Sequence, residues 1–171
     1  MAKRLETDFY TRDVLEVAPD LLGQTMIRVF EKGRIGQYAI TEVEAYRGEE
    51  DLACHASKGR TARTEVMYAE GGHLYVYLIY GMYWMLNVVT APKDISQAVL
   101  IRGLKEITGP GRLTRELKID KSFNGESLLT SDRIWIEDSG IKPAYTTTSR
   151  INVEYAGVVW GAKEWRYMVN D

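Results

Sequence analysis

The spacing of hydrophobic residues changes near residue 24, and this change separates a helix from a pair of strands. Between Asp13, a good helix cap, and Gly23, a good helix end, apolar residues recur at helical spacing. These residues are Val14, Val17, Ala18, Leu21 and Leu22. Beyond them apolar and polar residues alternate, which predicts two strands, 25–31 and 34–46, joined by a tight hairpin turn.

The second of these strands is expected to have two different faces, because neighbouring side chains of a strand point to opposite sides. Strict alternation places Ala39, Thr41, Val43 and Ala45 on one face and Tyr38, Ile40, Glu42, Glu44 and Tyr46 on the other. Two carboxylates therefore share a face with aromatic and aliphatic neighbours. Glutamates in strands are mostly exposed, so Glu42 is expected to be solvated.

The segment YVYLIYGMYW, residues 75–84, concentrates four tyrosines and one tryptophan in an apolar run. The longer apolar run 74–89 is interrupted by Gly81 and Asn87 and is shorter than the roughly 20 apolar residues of a membrane-spanning helix. It predicts instead two strands, 74–79 and 82–90, with a turn at Tyr80 and Gly81. A hairpin tip is exposed, so the Tyr80 side chain is expected to point outward. The neighbouring Tyr75 and Tyr83 are expected to pack within the sheet.

The rest of the chain continues this mixture of strands and short helices. Strands are predicted at 98–104 and 132–138, with a loop that enters a short helix at 109–117. The polar stretch 47–63 has no sustained period and is a long loop of the kind that often carries function. We therefore expect an α+β fold, a single domain over residues 1–171, with a curved, mainly antiparallel sheet flanked by helices and a protruding β-hairpin.

Composition and charge narrow the choice of function only partly. The net charge is −2 and the pI is about 5.8, whereas nucleic-acid-binding proteins usually have a basic surface. Basic residues nevertheless gather in two segments, 56–70 and 102–118. A single cysteine, Cys54, forms no internal disulfide, which fits a cytoplasmic protein. There is no metal-ligand spacing and no nucleotide-binding motif, so we expect neither a metal nor an organic cofactor.

Six segments follow one another in the order and spacing of a known family. They are TEVEAYRGEEDLACH, GRTARTEVM, LYVYLIYGMYWMLNV, AVLIRGL, GPGRLTREL and a tail with TTTSRI, YAG and KEWRY. These segments resemble the alkyladenine, or 3-methylpurine, DNA glycosylase family, and the ordered similarity runs from about Asp8 to Tyr167. Between AVLIRGL and GPGRLTREL the chain is shorter than the family pattern.

The resemblance implies an enzyme of base-excision repair. Such an enzyme flips alkylated or deaminated purines (3-methyladenine, 7-methylguanine, hypoxanthine, ethenoadenine) out of double-stranded DNA and hydrolyses the N-glycosidic bond. No lysine matches a Schiff-base role, which implies a monofunctional enzyme that leaves an abasic site. The implied partner is duplex DNA with damaged purines, bound by a monomer in the cytoplasm, or at the nucleoid if the source is bacterial.

The resemblance also assigns roles to individual residues. Glu44 becomes the general base that activates the attacking water, and Arg102 helps to hold this water and a nearby phosphate. The base pocket is formed by Tyr46, His55, Tyr77 and Asn87, with Asn87 obstructing the 2-amino group of normal guanine. Tyr80 becomes the wedge that intercalates where the base was. Contacts with the DNA backbone are expected from Lys58, Arg60, Arg63 and Arg112.

Two other functions stay open from the sequence. The first is a hydrolase of free nucleosides or nucleotides with the same pocket, which would have no need of a wedge at Tyr80. The second is a non-catalytic module that binds damaged nucleic acid, which would need neither Glu44 nor Arg102. Salt dependence of duplex binding distinguishes the first from a glycosylase, and base release distinguishes the second.

Overall fold

The computed structural model describes residues 2–171, and these contain one sheet of nine strands. The strands are β1 (Thr25–Val29), β2 (Ile35–Tyr46), β3 (Leu74–Ile79), β4 (Tyr83–Thr90), β5 (Gln97–Leu104), β6 (Ile107–Thr108), β7 (Ile134–Glu137), β8 (Tyr145–Thr148) and β9 (Arg166–Val169). Their order is β3-β4-β5-β2-β1-β7, with β6 paired to β5 and the β8–β9 pair joined to β2 through β9. Each of these pairs is antiparallel, so the predicted α+β class and antiparallel sheet are confirmed.

Short helices complete the fold: α1 (Thr7–Tyr10), α2 (Val14–Leu21), α3 (Pro110–Glu116) and α4 (Gly157–Gly161). Helix α2 begins where the sequence predicts, because the Asp13 carboxylate accepts the Leu15 N–H at 2.9 Å. Its apolar side and Leu113 of α3 pack with the strands in the main hydrophobic core. Between residues 2 and 171, no helix has the length and apolar character needed to cross a membrane.

The pairing of β2 with β5 shifts register twice, once on each side of Glu42. Glu42 pairs with Gly103, and this leaves Thr41 and Arg102 as extra residues, one on each strand. The two strands approach closely here, since a Cβ added at Gly103 would lie 3.0 Å from Thr41 Oγ1 and 3.1 Å from Glu42 Cβ. Bulges of this kind bend a strand and re-aim its side chains, which makes Arg102 a residue placed by the irregularity.

This irregularity changes the face that β2 buries. Ile40, Val43 and Ala45 all lie in the main core, so that consecutive core residues are three positions apart at the bulge and two positions apart beyond it. The strict alternation predicted from the sequence is therefore wrong, because it placed Ile40 on the same face as Glu42 and Glu44. The extra residue leaves Glu44 free to face a second group of side chains, those of the candidate site.

The aromatic hairpin formed by β3 and β4 agrees closely with its prediction. The turn is closed by a hydrogen bond from the Met82 N–H to the Ile79 carbonyl at 3.1 Å. Its two central residues, Tyr80 and Gly81, have φ angles of +53° and +65°. Glycine adopts this region freely, whereas a bulky residue there costs about 1 kcal/mol or more. The Tyr80 side chain is 81% exposed, which confirms the predicted exposed tip.

Candidate functional site

A cavity of about 50 Å³ lies between the end of β2, the following loop and the aromatic hairpin. Four of its lining residues are ones that the sequence predicted for a base pocket, namely Tyr46, His55, Tyr77 and Asn87. The remaining lining residues are Ala53, Cys54, Met67, Tyr75 and Tyr155. The fold therefore brings together side chains that are up to about a hundred positions apart in the sequence.

Aromatic rings form much of the cavity wall. The His55 ring lies 4.5 Å from the Tyr77 ring, and the Tyr75 ring lies 5.3 Å from it. His55 Nδ1 is 3.1 Å from the Tyr75 hydroxyl, and the Asn87 side-chain amide donates to the Tyr75 carbonyl at 3.1 Å. Tyr75 thus packs in the sheet as predicted and also forms part of the cavity. Burial raises the pKa of both Tyr75 and Tyr77, so both phenols stay protonated at neutral pH.

Glu44 is fully buried, and both of its oxygens accept hydrogen bonds. Oε1 accepts from the Tyr46 hydroxyl at 2.8 Å, and Oε2 accepts from the Ile151 N–H at 2.7 Å. Arg102 Nη1 lies 3.6 Å from Oε1, beyond a normal hydrogen bond. Burial, and then the Glu44 carboxylate, raise the pKa of Tyr46, so its hydroxyl keeps the proton that it donates. A carboxylate is thereby held in one position behind a residue of the cavity wall.

Glu42 lies between two arginines and is not the solvated residue that the sequence suggested. Its Oε2 accepts from Arg102 Nε at 3.3 Å and from Arg166 Nε at 2.8 Å, and its side chain is largely buried. Arg102 is contributed by β5 and Arg166 by β9, the two strands that flank β2 here. Glu42 therefore anchors Arg102 in its place beside Glu44.

A buried ion pair joins the two loops around the cavity. Arg150 donates to the two Asp51 oxygens at 2.6 and 3.0 Å, and neither side chain is exposed. Asp51 also accepts the Ala53 N–H at 3.0 Å, while Arg150 precedes Ile151, the backbone donor to Glu44. The Arg150 guanidinium lies 4.9 Å from the Tyr46 ring. The ion pair thus holds the loop that contains Ala53 and positions Ile151, the backbone donor to Glu44. Its guanidinium also covers one face of the Tyr46 ring.

Burial, together with the positive charges of Arg63 and Lys58, lowers the pKa of His55 to about 4. An unfolded histidine titrates near 6.5, so the unfolded chain takes up the proton first as the pH falls. The free energy of unfolding is therefore expected to fall by about 2 kcal/mol between pH 6.5 and 4, after allowance for partial solvent access. Urea denaturation at a series of pH values measures this loss.

The matched comparison for this pH dependence is His55→Gln against His73→Gln. Between pH 6.5 and 4, the His55→Gln variant should lose the part of the pH dependence of unfolding free energy that comes from His55. The His73→Gln variant should keep it, because His73 lies outside the cavity. Equal slopes for wild type and His55→Gln would contradict the assignment of a neutral buried histidine.

The basic side chains predicted to meet DNA lie in different surroundings. The Arg63 guanidinium is 5.7 Å from the Tyr77 ring, next to the cavity. Arg60 is held by Glu65 at 2.7 Å and Asp94 at 2.8 Å, so a phosphate would have to compete with two carboxylates for it. The structure thus brings Arg63 to the cavity and commits Arg60 to ion pairs.

Three further predicted contacts lie near the cavity or the hairpin. Lys58 ends the short 3-10 helix that His55 begins. Arg112 lines a groove with Tyr83 at the side of the aromatic hairpin, and Tyr80 stands at its tip. The predicted wedge and these basic residues are therefore distributed around the cavity region.

Sequence reasoning gave no role to four residues that build this site: Asp51, Arg150, Ile151 and Tyr155. All four lie in the segments DLACH, TTTSRI and YAG, which belong to the family resemblance. The resemblance therefore marked these segments but assigned no role to the four residues. Among residues 2–171, no group of three histidine, cysteine or acidic side chains is arranged to hold a metal ion.

Comparison with known proteins identifies the family of the chain. The family model described as "Methylpurine-DNA glycosylase (MPG)" matches residues 8–108 and 105–171. The two matched segments overlap at residues 105–108.

Relatives are similar over most of their length. A protein of Methanocella arvoryzae is 42% identical over 95% of this chain and 90% of its own, and one of Psychrobacter cryohalolentis is 37% identical over 98% and 92%. A third, of Rickettsia rickettsii, is 41% identical over 98% and 90%. Each carries the name "Putative 3-methyladenine DNA glycosylase". On this evidence the chain belongs to the methylpurine-DNA glycosylase family, a family of DNA glycosylases, which are hydrolases of N-glycosyl bonds.

Proposed function

We propose that this protein flips damaged purines out of double-stranded DNA and hydrolyses the bond between purine and sugar with water activated by Glu44. The observation that carries the proposal is a fully buried carboxylate, hydrogen-bonded to Tyr46, directly behind an aromatic cavity. A buried carboxylate is costly unless it is hydrogen-bonded and paired with a charge. Tyr46 and Ile151 satisfy the two Glu44 oxygens, and the Arg102 guanidinium stands 3.6 Å away.

The chemistry needs one base and no cofactor. The oxygen of a water molecule bonds to C1′ of the sugar while Glu44 takes its proton, and the electron pair of the glycosidic bond passes to the purine nitrogen. A purine methylated at N3 or N7 already carries a positive charge and leaves as a neutral base. The negative charge of Glu44 also stabilises an oxocarbenium-like sugar in the transition state. Arg102, 3.6 Å from Glu44, helps to hold the water and an adjacent phosphate.

The aromatic wall suits the bases that such an enzyme must hold. The faces of electron-rich rings attract a cationic purine by cation–π interaction. This attraction adds to the stacking that any flat base gains. Tyr46, Tyr77 and His55 supply these faces, and the lowered pKa of His55 keeps its ring neutral at pH 7. A neutral imidazole does not repel a positively charged base, whereas an imidazolium would.

The hairpin tip supports a duplex substrate in preference to a free nucleoside. Extrusion of a base leaves a gap in the stack, and an aromatic side chain fills such a gap at a protruding tip. Tyr80 is 81% exposed and is held in a strained backbone conformation. A hydrolase of free nucleosides gains nothing from this arrangement.

Base release from defined duplexes tests the proposal. Four duplexes carrying 3-methyladenine, 7-methylguanine, hypoxanthine or ethenoadenine are incubated with excess protein, and released base and abasic sites are measured. We expect release of at least one base with an intact abasic strand as the second product. Strand cleavage without added base would contradict the monofunctional mechanism, and no release from any duplex would contradict the function.

Replacement of Tyr80 by serine is expected to weaken binding to a lesion duplex about 10- to 100-fold, the loss of roughly 1–3 kcal/mol of base stacking. The stability of the fold should barely change, because the side chain is exposed and its loss leaves no cavity. Fluorescence anisotropy with a hypoxanthine duplex and urea denaturation measure the two effects.

A matched control for the wedge is Tyr145→Ser, which removes a half-exposed tyrosine of β8 from a strand other than the aromatic hairpin. It should leave duplex affinity unchanged. Unaltered affinity of Tyr80→Ser, or an equal loss in both variants, would count against the wedge.

A further inference from the structure

We propose that Tyr155 is the gate of the base pocket, a residue that closes the cavity in the free protein and must swing aside to admit a purine. The inference rests on the proposed function and goes beyond it, since it concerns how a substrate base enters. Tyr155 lines the cavity, and its hydroxyl donates to the Ala53 carbonyl at 2.9 Å. The side chain thus joins the two loops that border the opening.

The cavity is too small for its proposed occupant. A volume of about 50 Å³ holds a few water molecules at most. A purine has nine ring atoms and its substituents, so it does not fit until part of the wall moves.

Of the residues that line the cavity, Tyr155 is the most exposed. Tyr46, Tyr75, Tyr77 and Asn87 lie on strands of the sheet and are held by its packing. Tyr155 lies in a short turn and is 71% exposed, so one face of its ring meets solvent.

The backbone beside the gate is nevertheless fixed. Val153 and Ala156 are buried and pack with Ala53, which anchors the turn on both sides of Tyr155. The motion is therefore a rotation of one side chain away from the Ala53 carbonyl. A single hydrogen bond of this kind changes an equilibrium about 2- to 10-fold, which is a weak lock that a base can displace.

The lone cysteine offers a direct readout of opening. Cys54 lines the same cavity and is buried, and burial raises its pKa to about 11, so it reacts slowly while the pocket is closed. Because the chain has one cysteine, the rate of labelling by a thiol reagent such as DTNB reports this site alone. This readout requires neither DNA nor enzymatic activity.

The test compares Cys54 labelling in wild type, Tyr155→Phe and Tyr145→Phe. Tyr155→Phe keeps the ring and removes the hydrogen bond, so labelling should accelerate about 3- to 10-fold, while Tyr145→Phe should match wild type. Addition of 1 M urea should leave the ratio unchanged if opening is local. An unchanged rate in Tyr155→Phe, or a rate that rises only in step with loss of global stability, overturns the gate.

A second measurement links the gate to substrate entry. When only the open fraction binds, apparent affinity scales with that fraction, so Tyr155→Phe should bind a hypoxanthine duplex about 3- to 10-fold more tightly. Unchanged affinity together with faster labelling would overturn the role in substrate entry. Absence of base release by wild type, with the labelling result intact, would instead overturn the proposed function and leave the gate standing.

Discussion

Replacement of Glu44 by glutamine is expected to lower single-turnover base release about 10²- to 10⁴-fold while the protein stays folded and still binds a lesion duplex. The loss is that of a general base, which a neutral amide does not replace. The fold is expected to survive, because the amide oxygen accepts the Ile151 N–H and the amide nitrogen donates to the Tyr46 oxygen, which as a hydroxyl also accepts. Both partners of the carboxylate thus stay hydrogen-bonded.

The comparison needs a glutamate of similar setting outside the site. Glu137 lies in β7 and accepts a hydrogen bond from Trp135, so Glu137→Gln changes a strand glutamate without touching the cavity. It should release base at the wild-type rate. Full activity of Glu44→Gln on the same duplex would eliminate Glu44 as the base. Loss of duplex binding would show that the substitution impairs substrate binding as well as the catalytic step.

Replacement of Arg150 by methionine is expected to reduce the free energy of unfolding by about 3–5 kcal/mol, because it leaves the Asp51 carboxylate buried and without its counter-charge. Neither side chain of this pair is exposed, and Arg150 makes further hydrogen bonds to the carbonyls of Ala45 and Trp160. The expected loss is a large part of the stability of a domain of this size. Urea denaturation at pH 7 measures it.

A surface ion pair provides the control for Arg150. Arg12 and Asp20 lie 2.9 Å apart with both side chains partly exposed, so Arg12→Met should cost less than about 1 kcal/mol. The double variant Asp51→Asn with Arg150→Met removes the unpaired charge and should regain part of the loss. A loss of stability in Arg150→Met no larger than that in Arg12→Met would refute the stabilising role of the buried Asp51–Arg150 ion pair.

Much of the fold could be predicted because local signals agree with the final structure. The cap at Asp13, the period-2 strands and the Tyr80-Gly81 turn each follow from residue chemistry within a few positions, and β2 to β5 lie close to their predicted ranges. Strand β8 was not predicted, since the segment YTTT is mostly exposed and shows no apolar alternation. Its pairing with β9 depends on contacts between distant parts of the chain.

The sequence predicted four residues that share a cavity, but not the ion pairs that hold the loops around it. Tyr46, His55, Tyr77 and Asn87 all line one cavity, as the resemblance implied. The ion pair of Asp51 with Arg150 spans 99 positions, and nothing in either local sequence distinguishes it from a surface charge.

Glu42 was taken as solvated for the same reason, because its two arginines come from other strands. Ion pairs between neighbouring strands can be predicted only when the register of the sheet is known.

The extra residues Thr41 and Arg102 also constrain how the length of this chain can vary. They lie on either side of the Glu42–Gly103 pair, one on each strand, so the two shifts cancel and the pairing beyond them keeps the same register. Loss of either residue alone would leave one strand a residue longer than its partner and turn the side chains beyond it to the wrong face. Loss of both would straighten the ladder but remove the arginine. Insertions and deletions in these two strands are therefore coupled, and this region tolerates a change of residue type better than a change of length.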